Sequence, residues 1–325
     1  MKIARILMKL IYFIYSTLHF RSVRLAYILV LYTVDFHFLS KLKRQNNKLV
    51  FKHTGNKIYI NQLQWFGFLF PMLNELLQSS IAQVTRLEKD FFIVGIQGLN
   101  FKVASLSNMA VLNEIFIQKI YNIQLIDPEV VVIDIGMNVG VASHFFATMP
   151  NVKAVYGYEP FLDTYQEAMF NLSLNPSLKN NLFLYNIGVS NKNCKKTISL
   201  YESGSLSAST IESTTTFTKK GVQEVEVELI SAQDVLTTVI AKHPNTPLVL
   251  KIDCEGEEYA IFESLKSSSL MLNVTAILVE WHEKGIDPIA SFLIDHGFQF
   301  HHIPNDELNS GMVYAFKKNY RGSLN

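Results

Sequence analysis

The hydrophobic pattern of this chain changes character near residue 125. Beyond that point, short, largely apolar runs alternate with helical patterns, and the clearest are Val130–Ile133, Ala154–Tyr158, Leu248–Ile252 and Val274–Val279. Four consecutive β-branched residues, Val130–Ile133, mark a strand buried on both faces, and strands alternating with helices predict a parallel sheet. Ile286–His296, introduced by Asp287-Pro288, reads as the last large helix. Phe298–Ile303 and Met312–Phe316 then read as an antiparallel hairpin at the sheet edge, joined by a loop at Asn305–Gly311. The predicted fold class is α/β: a Rossmann-like domain over 125–325, its sheet mostly parallel with a C-terminal antiparallel hairpin, preceded by a mainly helical N-terminal extension.

Upstream, Trp65–Val84 carries a helical pattern interrupted at Pro71, and Asp90–Ala104 reads as a hairpin turning at Gln97-Gly98. Asn108–Leu125 has apolar residues at helical spacing and is expected to cover a ligand crevice. Residues 45–124 are therefore expected to form a small accessory or cap domain, and 1–44 a separate basic extension. In the extension, Lys2, Arg5, Lys9 and Ser16 share one helical face, with Ile3, Ile6, Leu7, Leu10, Ile14 and Leu18 opposite. The apolar runs Leu10–Leu18 and Leu25–Val34 fall short of the roughly 20 residues that span a bilayer, and no small-x-small cleavage site follows the first. Two readings stay open for residues 1–34: a helix lying on an anionic membrane surface, or one packed on the protein or on a second copy of the chain.

Charge sharpens the division. The formal net charge is +1, yet residues 1–74 hold 11 Lys/Arg and one acid, while the other 251 residues hold 18 Lys/Arg and 27 acids. The two cysteines, Cys194 and Cys254, are far apart and lack metal-type spacing. Neither a disulfide framework nor a zinc site is expected, which fits a cytoplasmic setting, with peripheral attachment to the inner face of a membrane as an option. No repeat is visible, and Ser203–Thr218 reads as a serine- and threonine-rich loop.

The candidate chemistry lies at the ends of the apolar runs. Asp134 follows Val130–Ile133 and precedes the glycine turn Gly136-Met137-Asn138-Val139-Gly140; Glu159 follows the next run. In open α/β sheets ligands bind outside the carboxyl ends of the strands, where an acid can hold ribose hydroxyls. A dinucleotide fingerprint would have a second glycine where Asn138 stands, and an acid facing the turn would repel a pyrophosphate. The layout suits S-adenosyl-L-methionine, which carries an ammonium and a sulfonium and no phosphate. Two further acids, Asp253 in LKIDCEGEE and Glu280 in LVEWH, end later runs. His282 shares a face with Glu280 and is the candidate general base. Ser231 and Asp234 read as a helix cap, and His301 and His302 point to opposite faces.

On the motifs DIGMNVG, YEP, GSLSAS, LKIDCEGEE and LVEWH, the region from about Phe91 to Lys317 resembles the FkbM-type methyltransferases, with Met137 and Tyr158 as departures from the family's usual alanine and phenylalanine. The resemblance implies a class I methyltransferase fold and S-adenosylmethionine as cofactor. It implies that Asp134, Gly136, Asn138 and Gly140 hold the methionine part, Glu159 the ribose and Asn186 the adenine edge. Asp253 would lie beside the sulfonium, with His282 taking the proton from an acceptor hydroxyl and Glu255 capping the next helix. No metal site is assigned, with metal binding by Glu255 left as the alternative to capping. Family members methylate hydroxyls of natural products and glycans, so the implied acceptor is a small molecule, glycan or lipid-linked sugar and not a nucleic acid. Two other functions remain open: an inactive, membrane-recruited interaction module on the same fold, and a nicotinamide-dependent oxidoreductase, disfavoured by Asn138 and Asp134.

Overall fold

The computed structural model describes residues 2–23, 26, 27, 29, 39–65, 70–201, 222–305, 308–318, 323 and 324. The serine-rich stretch Ser203–Thr218 and most of Leu25–Val34 lie outside the described residues. The chain divides into two compact units, Met1–Ile120 and Tyr121–Asn325.

The first unit opens with the helix Lys2–Phe20. Tyr12, Ser16 and Phe20 are buried on one side of it, while Leu10, Ile14 and Leu18 are exposed on another. The polar face expected to hold Ser16 against solvent is thus turned inward at that residue. Leu42–Gln45 pairs antiparallel with Lys48–Phe51, so a small sheet runs close across the division expected at residue 44. The helix expected over Trp65–Val84 is shorter. It spans Phe70–Gln78, and Ala82–Leu87 is instead a strand pairing with Phe92–Ile96. Buried Asn56 explains the break: its amide nitrogen donates to the Leu77 and Ala82 carbonyls, and its oxygen accepts the Val84 N–H. The hairpin Phe92–Ile96/Leu99–Val103 turns where the sequence indicated. Ser105 then caps the helix Leu106–Leu112, which widens into a π turn over Asn113–Ile117.

The second unit is built on a seven-stranded sheet: β1 (Val130–Ile135), β2 (Val152–Tyr158), β3 (Leu182–Tyr185), β4 (Leu248–Ile252), β5 (Val274–His282), β6 (Phe298–Asn305) and β7 (Ser310–Lys317). The order is β3-β2-β1-β4-β5-β7-β6, with β1 to β5 parallel and β7 antiparallel between β5 and β6. This is the mostly parallel sheet with a C-terminal hairpin that the apolar pattern indicated. Its helices are α1 (Val141–Ala147), α2 (Leu162–Leu174), α3 (Ala232–Lys242), α4 (Glu258–Leu265) and α5 (Asp287–Asp295). Ser231 caps α3 by accepting the Asp234 N–H, and Pro288 opens α5, where its missing N–H costs nothing. Strand parity sorts the core. Val131, Ile133, Ile135, Leu248, Leu250, Ile252, Ile277 and Val279 face α3, α4 and α5, each contributing roughly 1.5–3 kcal/mol by leaving water. The intervening residues, Asp134 and Lys251 among them, face the other side. Outside the sheet, Gly188–Ser190, Val222–Ser231 and Cys194–Tyr201 form a smaller three-stranded sheet in that spatial order.

Candidate active site

The carboxyl ends of β1, β2 and β4 are level, because Ile135 pairs with Tyr158 on one side and Ile252 on the other. The Tyr158 carbonyl accepts the N–H groups of both Gly136 and Met137, which bends the chain sharply out of β1. Gly136, Asn138 and Gly140 all have positive φ, at 75°, 54° and 81°. A Cβ on Gly136 would run into the Asp253 carbonyl oxygen, so the first glycine is required by the backbone after β4 as well as by its own φ. Asparagine, the commonest non-glycine in the left-handed region, explains the DxGxN spacing.

Glu159 lies one residue beyond β2 and is almost fully buried. Its two oxygens accept the N–H groups of Asn138 and Phe161, each at 3.1 Å. Burial pushes its carboxyl up to about 7, against the pull of those two N–H groups and of Lys251. A carboxylate has about four acceptor positions, so two hydroxyl donors of a ribose would complete this set, and the residues present fit that part of S-adenosylmethionine. Asn186 sits beside it, but its amide nitrogen donates to the Glu159 and Pro160 carbonyls, both at 3.0 Å. Asn186, expected at the adenine edge, thereby braces the Glu159 turn through its nitrogen.

For Asp134 the end of the strand differs from the expectation. The residue was expected to close β1 and meet the cofactor ammonium. The strand runs one residue further, to Ile135, and parity turns Asp134 inward beneath α1, where it is completely buried. It accepts the Ser143 hydroxyl at 2.5 Å and pairs with Lys251 Nζ at 3.0 Å. Lys251, equally buried, also donates to the Gly136 carbonyl at 2.6 Å and lies 3.6 Å from Asp253. Burial opposes its charge, but Asp134 and Asp253 outweigh it and hold the ammonium above its ordinary value. Lys251 went unnoticed in the sequence, although a lone cation in the buried strand LVLKI is itself a signal.

The second half of the site joins the ends of β4 and β5. Asp253 and Glu255 come from the first, Glu280 and His282 from the second. Asp253, Glu255 and His282 each offer an oxygen or nitrogen within 4.8 Å of the others'. His282 Nε2 is 3.6 Å from Glu255 and 3.9 Å from Glu280. Its other ring nitrogen, Nδ1, is 3.0 Å from Glu258, which also accepts the His282 and Gly256 backbone N–H groups at 2.8 Å. Glu258 is fully buried in the first turn of α4 and was not singled out by the sequence reading. Glu255, expected to cap that helix, does not: the helix begins at Glu258, and Glu255, at φ 53°, turns its carboxylate toward His282. Burial pushes Glu255 up to about 7, partly opposed by His282. Burial alone would lower His282; its bond to Glu258 and the charges of Glu255, Glu258 and Asp253 prevail and raise it to about 9. The ring is therefore protonated at neutral pH, whereas the sequence reading expected a base titrating near neutrality.

Residues 134–300 match the model of the methyltransferase FkbM domain. Among solved structures, the chain is similar to an FkbM methyltransferase from Methylobacillus flagellatus KT, at 11% identity and a TM-score of 0.40, covering 65% of this chain and 54% of that one. It is similar to an rRNA methylase from Streptococcus thermophilus, at 12% identity and a TM-score of 0.35, covering 59% and 88%. A third likeness is to TrmK of M. capricolum in complex with S-adenosyl-homocysteine, at 11% identity and a TM-score of 0.33, covering 60% and 66%. No curated protein sequence matches.

Proposed function

The chain belongs to the FkbM methyltransferase family, whose cofactor is S-adenosylmethionine, and from that premise we propose that it transfers the methyl group to a hydroxyl oxygen of a glycan, a lipid-linked sugar or a related small molecule. The observation that carries the choice of oxygen is the cluster at the ends of β4 and β5. Asp253, Glu255, Glu280 and His282 concentrate negative charge and one imidazole beside the turn that the family uses for the cofactor. An alcohol gains its methyl only as it loses its proton, and the cluster offers places for that proton. The same carboxylates would repel a phosphate backbone, which counts against RNA as the acceptor.

In this reading Glu159 holds the ribose hydroxyls, while Gly136, Asn138 and Gly140 shape the turn around the methionine end. Asp134 acts through Lys251, which fixes the Gly136 carbonyl and Asp253 together. The cofactor supplies the activated methyl group; the chain aligns the acceptor oxygen behind it and receives the proton. Asp253 is the residue assigned to receive the proton, and His282, which already carries one, holds the carboxylates of the cluster in place beside it.

The helix Lys2–Phe20 supports a peripheral location. Leu10, Ile14 and Leu18 are exposed on it, and no helix among the described residues is long and apolar enough to cross a membrane. We assign this stripe to the surface of an anionic bilayer, which would bring the enzyme to lipid-linked acceptors.

The test uses S-adenosylmethionine with an isotopically labelled methyl group, incubated with a cell extract separated into glycan, lipid and RNA fractions. The label is expected on a hydroxyl oxygen in the glycan or lipid fraction. Label on a nitrogen, or in RNA, overturns the reading.

A further inference from the structure

The acidic face of His282 is organised as a ligand set. We propose that Asp253, Glu255 and His282 bind a divalent cation of the Mn2+ or Mg2+ class. Each contributes one donor atom, and the three donors lie within 4.8 Å of one another, close enough to surround a single ion. They come from two different strand ends, so the sheet itself sets their separation. None is fully buried: the side chains of Asp253, Glu255 and His282 are 28%, 32% and 16% exposed. An ion held there would keep open positions toward the crevice.

The surroundings of His282 separate this cluster from a chance gathering of acids. A metal-binding histidine ordinarily gives its other ring N–H to a carboxylate, which fixes the tautomer and aims the remaining nitrogen at the ion. Glu258 does this here. It is fully buried, lies 3.0 Å from His282 Nδ1, and is itself fixed by the His282 and Gly256 N–H groups. With Nδ1 committed to Glu258, Nε2 is the nitrogen that faces Glu255 and Glu280. Glu280, 3.9 Å from Nε2, stands next to the set and adds negative charge. Two carboxylates and one imidazole, without a thiolate, form an oxygen-rich donor set that accommodates Mn2+, with the ion held in practice set by metal availability as well as by affinity. Cys254 does not join them, since its thiol points at Glu258 and burial pushes it up.

The cation deepens the methyl-transfer reading, on which its role in catalysis rests. An ion on Nε2 would displace the second ring proton, so that His282 serves as a neutral ligand, and the open positions would hold the acceptor's oxygen beside Asp253. A vicinal diol, the commonest feature of a sugar ring, could fill two adjacent positions.

Mn2+ alone is the probe, because the six-line paramagnetic resonance signal of the free ion disappears on binding. Wild-type protein is expected to bind one ion per chain. Glu255→Gln and His282→Gln are expected to weaken binding by at least about 10-fold, and Glu258→Gln by roughly 10–100-fold, the usual effect of losing the group that orients a ligand. Glu226→Gln, an exposed acid of the smaller sheet, serves as control and should leave binding unchanged. Calorimetry with S-adenosylhomocysteine, run without Mn2+, reports folding and cofactor binding in every variant; should Glu258→Gln fail to fold, the partly exposed Glu255 still decides the matter. Wild type that binds S-adenosylhomocysteine but not Mn2+ overturns the cation and leaves the methyltransferase reading standing, as do ligand variants with wild-type Mn2+ affinity. Wild type that binds Mn2+ but not S-adenosylhomocysteine does the reverse.

Discussion

Removing the charge of Lys251 while keeping its bulk, as in Lys251→Met, strikes the point where the cofactor turn, β1 and the chemistry loop are joined. Nζ lies 3.0 Å from Asp134 and 3.6 Å from Asp253. At an effective dielectric constant near 20, the attraction to Asp134 is about 5 kcal/mol before the cost of desolvating either ion. That cost has already been met when the lysine is taken away, because Asp134 stays buried with only the Ser143 hydroxyl. Breaking such a pair from one side costs about 3–5 kcal/mol. Asp253 is more exposed, and water would replace much of what it loses. The expected result is a loss of about 3–5 kcal/mol in urea unfolding, followed by Trp281 fluorescence in a Trp65→Phe background so that the second unit alone is read. Adding Asp134→Asn should restore at least about 1 kcal/mol of that loss, since neighbouring charges couple. A Lys251→Met protein within about 1 kcal/mol of wild type, or a double variant whose cost is the sum of the single ones, would refute the argument.

Three further outcomes follow from the site. Glu159 is held near 7 against an ordinary 4.5, so the native state retains its proton longer than the unfolded chain, and stability from this group falls as pH rises from 4.5 to 7. Ribose hydroxyls favour the ionised form, so calorimetric affinity for S-adenosylhomocysteine should weaken as pH falls below about 7. Glu159→Gln should bind about 10–100-fold more weakly with a flattened pH dependence, the loss expected of a charge-assisted contact worth about 1.5–3 kcal/mol; an unchanged pH slope sinks this account. His282→Ala should lower turnover by about 10²-fold while S-adenosylhomocysteine affinity holds, because the cluster loses the group that positions its carboxylates; a variant retaining most of its turnover would remove His282 from the chemistry. Gly136→Ala should destabilise the second unit by at least about 1–3 kcal/mol, through a strained φ and a collision with the Asp253 carbonyl; a melting temperature equal to wild type would show that the turn can relax.

Much of the second unit was legible because its strands are apolar on both faces, a pattern that survives without knowledge of what packs on it. The edge hairpin was legible for the complementary reason, a polar loop between two short runs. Asp134 shows where reading stops: one additional strand residue, Ile135, turns a ligand contact into a buried ion pair. Sequence order also says nothing of partners across strands, so Lys251 was passed over although it faces Asp134 directly in the register. Glu258 was hidden similarly, its role lying with a histidine 24 residues away. In the first unit, the strand Ala82–Leu87 was missed because one buried side chain, Asn56, ends the preceding helix from outside it.

The Gly136 backbone rests against the Asp253 carbonyl with no side chain between them. Two loops in direct contact have no soft layer to absorb a shift, and a packed interior passes displacement on. Occupancy of the turn after β1 and occupancy of the cluster after β4 should therefore not be independent. Whatever factor the cofactor imposes on affinity at the cluster, the cluster's ligand must impose on the cofactor. The strength of that coupling would then be set by a single missing methyl group at residue 136.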